Sequence, residues 1–256
     1  MTAALLVCGV VRAGHPVPGA ASATDAATDD ATASVRLVYA GALAAAVRDL
    51  PDDAAPSEDD ASRYLDALIA LLPGGPVLPL RFATLAPDED AVRELLDGAD
   101  DELVHRLDAL DGLVEVRLQI DGDLDAELRA LVVASPALAR ARPEPLDDRV
   151  RYGEQISARL AERRDELADQ VLARLQPLAV AHAAIRPEAA TELKHAYLIR
   201  AEALPAFDRA VQALRDDLGE RYAIEYAGPL PAFEFTDLVT DLAPDAPPPA
   251  RSRWGW

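Results

Sequence analysis

Four histidines, one cysteine and a few acid pairs are the residues of this chain with the chemistry for catalysis or metal binding. Glu102 and His105 stand three apart, the spacing at which two helical side chains can share a metal ion. No second pair accompanies them, so an ordinary ion pair on a helix surface is the expected reading. His182 and His195 fall in two candidate strands and would be neighbours across a sheet, yet no carboxylate or cysteine motif beside them completes a ligand set. His15 lies in a loop-like stretch. Cys8 is the only cysteine, which excludes an internal disulfide and any zinc site built on several cysteines. Inside an apolar run it reads as a small buried hydrophobe. Asp29-Asp30, Asp52-Asp53 and Asp59-Asp60 lack the regular spacing of a calcium loop. No Gly-x-Ser-x-Gly elbow, P-loop or Gly-x-Gly-x-x-Gly fingerprint occurs. The expectation is a protein without catalytic residues, metal or cofactor.

The formal net charge of −20 argues against a nucleic-acid partner, because phosphate binding needs clustered Lys and Arg. It equally disfavours an anionic lipid surface. Half the residues are hydrophobic and few are aromatic, so Ala, Leu and Val must fill the cores. No apolar run approaches the roughly 20 residues that span a bilayer, so membrane insertion is not expected. Ala3–Val11 is apolar and precedes a small-residue Ala21-Ser22-Ala23, but its first charge, Arg12, follows the apolar stretch instead of leading it. That is the reverse of a secretory signal. The segment is expected to be a buried strand of a cytoplasmic protein.

These residues must be positioned by a mixed set of elements. Ala13–Ser34 has loop composition throughout. Val35–Ala40 reads as a strand, while Leu43–Leu50 is Ala-rich and fits helix or strand. Ser62–Leu72 is a helix with Leu65, Leu68, Ile69 and Leu72 on one face, stopped by Pro73-Gly74-Gly75-Pro76. Gly75–Thr84 is an apolar strand. Its prolines suit an edge or terminal position, and alternation places Leu78, Leu80 and Phe82 opposite Val77, Pro79 and Arg81. Two readings of Arg81 stand open: a partly buried guanidinium with a defined polar partner, or one that snorkels to solvent. Pro87 to about Leu110 reads as one acid-capped helix with an apolar stripe from Val92 to Leu110. Leu113–Ile120 alternates as a half-buried strand, and Asp123–Val133 reads as a short helix. Val150–Leu175 is a long helix, Leu178–Ile185 and Leu193–Ala201 are strands, Pro205–Leu218 is a helix and Ala223–Ala227 a last strand. From Leu113 on, the order is β-α-β-β-α-β, that of a ferredoxin-like domain.

The Pro79-Leu80-Arg81-Phe82-Ala83-Thr84 strand and its acid-capped, Leu-rich helix resemble the signature of the gas vesicle protein F/L family. There the segment reads Pro-Leu-Arg-Phe-Gly-Thr, with glycine at the position of Ala83. His195-Ala196-Tyr197-Leu198-Ile199 gives a second match. It leads to Gly228-Pro229-Leu230-Pro231-Ala232-Phe233-Glu234-Phe235, which resembles the family's closing Gly-Pro-Trp-Pro-Pro-Tyr-Ser-Phe. Leu230, Ala232 and Phe233 depart from that pattern.

The resemblance implies that Leu43–Leu50 is a strand paired with its predecessor through Gly41. The fold class is then α+β with two domains: a modified ferredoxin-like domain over 1–111, a ferredoxin-like domain over 112–228, and a Pro-rich tail over 229–256 poorly ordered beyond Ala243. It further implies a non-catalytic accessory protein, a minor component of the gas vesicle in the cytoplasm. Such a protein would bind the small hydrophobic shell subunit and limit its aggregation while the vesicle nucleates and grows, with other accessory proteins as candidate partners. Pro79, Leu80, Arg81, Phe82, Thr84, Tyr197, Gly228, Pro229, Phe233 and Phe235 become the candidate structural or partner-binding residues. The Gly228–Phe235 segment is expected to fold back with Phe233 or Phe235 buried in a groove, the alternative being that these aromatics form an exposed site for the shell subunit. A small-molecule-binding or catalytic ferredoxin-like protein is the alternative, since that fold hosts many functions.

Overall fold

The computed structural model describes residues 4–16, 35–50, 56–141 and 144–236. Most of the loop expected over Ala13–Ser34, and the tail beyond Ala243, lie outside them. The chain is α+β, with two antiparallel sheets. It divides into two compact units; among the described residues one holds 4–115 and 229–236, the other 116–228.

The first unit is built on β1 (Leu5–Arg12), buried from Leu5 to Val11 because the sheet continues on both sides of it and helices pack against it. On one side it pairs with β3 (Leu43–Asp49), which pairs in turn with β2 (Val35–Ala40) through a tight turn at Gly41, φ +54°. Leu43–Leu50 thus takes the strand alternative. On the other side β1 pairs with two short strands in succession, β4 (Leu78–Pro79) and β5 (Leu85–Ala86). Two helices follow, α2 (Glu89–Asp97) and α3 (Asp100–Ala109).

The single helix expected from Pro87 to Leu110 is therefore broken. Gly98 closes α2, and Ala99 leaves helical geometry at φ −138°, ψ 21°. Glycine weakens a helix interior by about 1 kcal/mol. A restart also gives Asp100, Asp101 and Glu102 a favourable place in a new first turn, against the positive end of the helix dipole. Glu102 is not the surface residue expected. It is buried and bridges Arg106 at 2.5 Å, while His105 sits against the Asp101 carbonyl.

Helix α1 (Glu58–Leu71) starts at a capping box, in which the Asp60 amide donates to Ser57 Oγ and the Ser57 amide to Asp60 Oδ2. Its buried face is Tyr64, Ala67, Leu68 and Leu71, one residue round from the expected stripe; Leu65 and Ile69 point outward. Leu68, common to both stripes, packs on Gly9, where a Cβ would stand 2.8 Å from Leu68 Cδ2 and from the Leu78 carbonyl oxygen; Tyr64 sets the phase, bonding the Leu80 carbonyl and packing on Phe82.

The second unit carries a four-stranded sheet in the order β7-β8-β6-β9, made of β6 (Leu113–Gly122), β7 (Ala181–Ile185), β8 (Glu192–Arg200) and β9 (Tyr222–Leu230). Strand β7 is shorter than expected, because Gln176–Leu178 form a 3-10 turn instead. Helices α4 (Leu124–Ala134), α5 (Pro136–Arg140), α6 (Leu146–Leu175) and α7 (Leu204–Leu218) complete it. Glu127 of α4 is its electrostatic centre. It is 4 % exposed, accepts from Arg163 Nε at 2.9 Å and Tyr222 Oη at 3.0 Å, and bridges Arg221 at 2.6 Å. Burial alone would raise the carboxyl pKa, but the Tyr222 and Arg221 hydrogen bonds and the Arg163 charge hold it below its ordinary value.

Candidate functional site

Leu80 to Thr84 form a turn that interrupts the strand lying along β1. The Leu80 amide donates to the Cys8 carbonyl at 2.9 Å, and the Val7 amide donates to the Thr84 carbonyl at 2.9 Å, so the chain leaves β1 and returns to it within one residue of its departure point. Between them the Thr84 amide and hydroxyl both donate to the Arg81 carbonyl, at 3.1 and 2.7 Å. Ala83 stands at the third position of this turn with φ +67°, the one described non-glycine residue at positive φ. That is the position a type II turn reserves for glycine.

The expected alternation through Gly75–Thr84 does not hold. Val77, Leu78, Pro79 and Leu80 are all buried, because α1 covers one face while β1 sits beside the strand. Pro79, opposite Gly9, has no N–H to offer and suits the sheet margin it occupies. Arg81 is exposed at the turn and forms no ion pair with any described residue. The snorkelling alternative is the one observed.

Tyr64, which the sequence reading passed over, joins the two motif segments. Its hydroxyl donates to the Leu80 carbonyl, its ring meets Phe82 edge-on at 5.5 Å, and Phe233 lies against it at 6.4 Å. Phe82 and Phe233 are both half-buried, each keeping part of its ring at the surface. Burial drives the Tyr64 phenol pKa up, so it remains a donor. From Pro229 to Phe235 the segment thus belongs to the first unit. Leu230 and Ala232 are buried and Phe235 is fully so, and the Glu234 amide donates to the buried carboxylate of Glu115 at 2.8 Å. Gly228 is required by proximity, since a Cβ there would stand 2.6 Å from Val116 Cγ1. Pro229 is exposed.

Tyr197 is apart from this seam, in the core of the second unit. It packs on Phe207 at 5.2 Å, with His182 and His195 at 6.4 and 6.0 Å on the same face of the β7–β8 pair. His195 is 5 % exposed, and neither its Nδ1 nor the Tyr197 hydroxyl bonds to any described residue. Burial, reinforced by the charge of His182, lowers the His195 pKa and favours the neutral ring. A cleft of about 320 Å³ opens beside it, lined by His195 but by neither His182 nor Arg81. Cys8 is inert, its thiol pKa pushed up to about 12 by burial. Among the described residues no group of three His, Cys, Asp or Glu side chains is placed to hold a metal, and no helix is long and apolar enough to cross a membrane.

Fold and site together define an α+β protein whose marked residues hold a turn, a strand crossing and an aromatic seam. The chain belongs to the gas vesicle synthesis protein GvpL/GvpF family, whose sequence model matches residues 4–237. It is 29 % identical over 242 residues to gas vesicle protein F of Streptomyces sp. (strain CB03234), covering 90 % of this chain and 98 % of that protein. Crystal structures of GvpF share its fold. The Microcystis aeruginosa protein superposes with a TM-score of 0.74 at 21 % identity, over 92 % of this chain and 99 % of its own. That of Anabaena sp. PCC7120 gives 0.75 at 19 % identity, over 92 % and 98 %. The protein is accordingly a gas vesicle accessory protein.

Proposed function

We propose that this chain binds the small hydrophobic shell subunit of the gas vesicle and limits its aggregation during nucleation and growth, without catalysing a reaction. Family membership over nearly the whole chain carries the proposal. The physics is compatible with it. A shell subunit must expose apolar surface to assemble, and a partner with a net charge of −20 stays soluble while covering that surface. Other gas vesicle accessory proteins are further candidate partners, and the site of action is the vesicle within the cytoplasm. In this reading Phe82 and Phe233, half-buried on Tyr64, serve as apolar contacts, with Arg81 beside them. Pro79, Leu80, Thr84, Tyr197, Gly228, Pro229 and Phe235 serve the framework.

The chain is read as two domains joined in sequence near Asp111-Gly112, close to the division between the units, the second of them ferredoxin-like. The strand order β7-β8-β6-β9 supports this, since it sets the first and third strands of β-α-β-β-α-β side by side at the centre. The first is a rearranged relative, and 229–256 is a Pro-rich C-terminal tail. Co-expression with the shell subunit followed by affinity purification tests the function: the subunit should co-purify, and a subunit equally soluble with and without this chain would contradict the proposal.

A further inference from the structure

Of the sheet margins in the described structure, three are protected against pairing with another chain. Strand β2 carries Arg36, tied to Asp49 and Glu89. Strands β4 and β5 are two residues each, split by a turn and marked by Pro79. Strand β9 carries exposed Glu225 and runs into Gly228-Pro229. Within its five paired residues strand β7 has none of these devices; Arg186 and Pro187 come only after the ladder ends. Ala181-His182-Ala183-Ala184-Ile185 contains no Lys, Arg, Asp, Glu or Pro, pairs with β8 in unbroken register, and follows Val180, which is 42 % exposed. Its outer side has no strand partner among the described residues. An unpaired, uncharged edge in regular register is a template for an added strand.

A second observation falls at the same place. The 320 Å³ cleft opens beside β7, with Ala184, Ile185 and Pro187 on one wall and Ala168 of α6 on the other. His195, opposite Ala184 in the ladder, lines it and holds a buried Nδ1 without a partner. Recognition by strand addition uses this combination: the edge supplies backbone hydrogen bonds, and a pocket beside it accepts one side chain.

We propose that β7 takes an extended strand from a partner protein, which seats in the cleft a side chain with an apolar body and a hydrogen-bonding tip, such as Tyr, against His195. The charge selects the partner. The cleft sets Asp165, Asp169 and Glu192 against Arg164 and Lys194, a small acidic excess, and a second copy of the chain would add another −20, so the incoming strand is neutral or basic. On the functional reading above, on which this inference rests, the shell subunit supplies it.

The test is co-expression of the full chain with the shell subunit, comparing wild type with Ala184→Lys, which gives the exposed edge position a charge of the kind that protects natural edges. Tyr39→Lys on the already protected β2 is the control. Wild type and control should capture the subunit equally, and Ala184→Lys should capture at least tenfold less with an unchanged melting temperature. Undiminished capture by a folded Ala184→Lys variant overturns the inference alone. Absence of capture by wild type overturns the functional reading, and the inference with it. Equal loss in both variants shows a general charge effect and also overturns the edge assignment.

Discussion

Replacing Ala83 by glycine should stabilise the protein, against the usual direction of an alanine-to-glycine change. At φ +67° the Ala83 Cβ is pressed toward the backbone, a conformation that costs an L-residue about 1–2 kcal/mol. Glycine removes that cost but brings a more flexible unfolded chain, worth about 0.5–1 kcal/mol against it. The side chain is exposed, so no packing is lost. The balance is a gain of about 0.5–1 kcal/mol. Urea denaturation should show a higher midpoint at unchanged slope, and thermal melting a rise of about 1–4 °C. Ala83→Val should move in the opposite direction, because a branched Cβ fits left-handed backbone worse still. A lower midpoint for Ala83→Gly would refute the reasoning, since the turn would then not hold this residue where glycine is preferred. The resemblance supplied glycine at this position, and the positive φ explains why it belongs there.

Tyr64→Phe keeps the ring contacts but strands the Leu80 carbonyl, and should cost about 1–2 kcal/mol in urea denaturation. Glu127→Gln leaves Arg163 and Arg221 without their counter-charge and should cost about 1–3 kcal/mol near pH 7. Because the folded-state pKa of Glu127 is lowered, its contribution is present above the ordinary value of 4.5 and disappears as pH falls through the folded value. Wild type should therefore lose its advantage over Glu127→Gln below about pH 4.5, a difference that parallel acid titrations will read. Arg81→Ala should leave stability within about 0.5 kcal/mol, as expected of an exposed residue with no described ion-pair partner; a larger loss in a thermal melt would point to a contact at the turn.

The element order was largely legible because most segments carry their own boundaries. Pro and Gly stop α1, Pro starts α7, and alternation marks β6. What escaped were choices between nearly equal local patterns. In α1 two stripes share Leu68: Leu65-Leu68-Ile69-Leu72 is more hydrophobic, but Tyr64-Ala67-Leu68-Leu71 is the one that brings Tyr64 onto Leu80 and Phe82. Tyr64 was missed with that phase, although its spacing of three, four and seven from Ala67, Leu68 and Leu71 was the available signal. The break at Ala99 was hidden because the apolar stripe passes through it in phase. Arg81 was weighed as a strand residue, but Ala83 turns the chain out of the strand beside it.

The central claim is that this chain keeps the shell subunit from aggregating by direct contact, and light scattering during dilution of the denatured shell subunit tests it most directly. With this protein present at equimolar concentration, scattering should fall in proportion to the chain added, and a stable mixed species should elute ahead of this protein alone on size exclusion. Scattering that is unchanged by this protein, with no mixed species, would contradict the account.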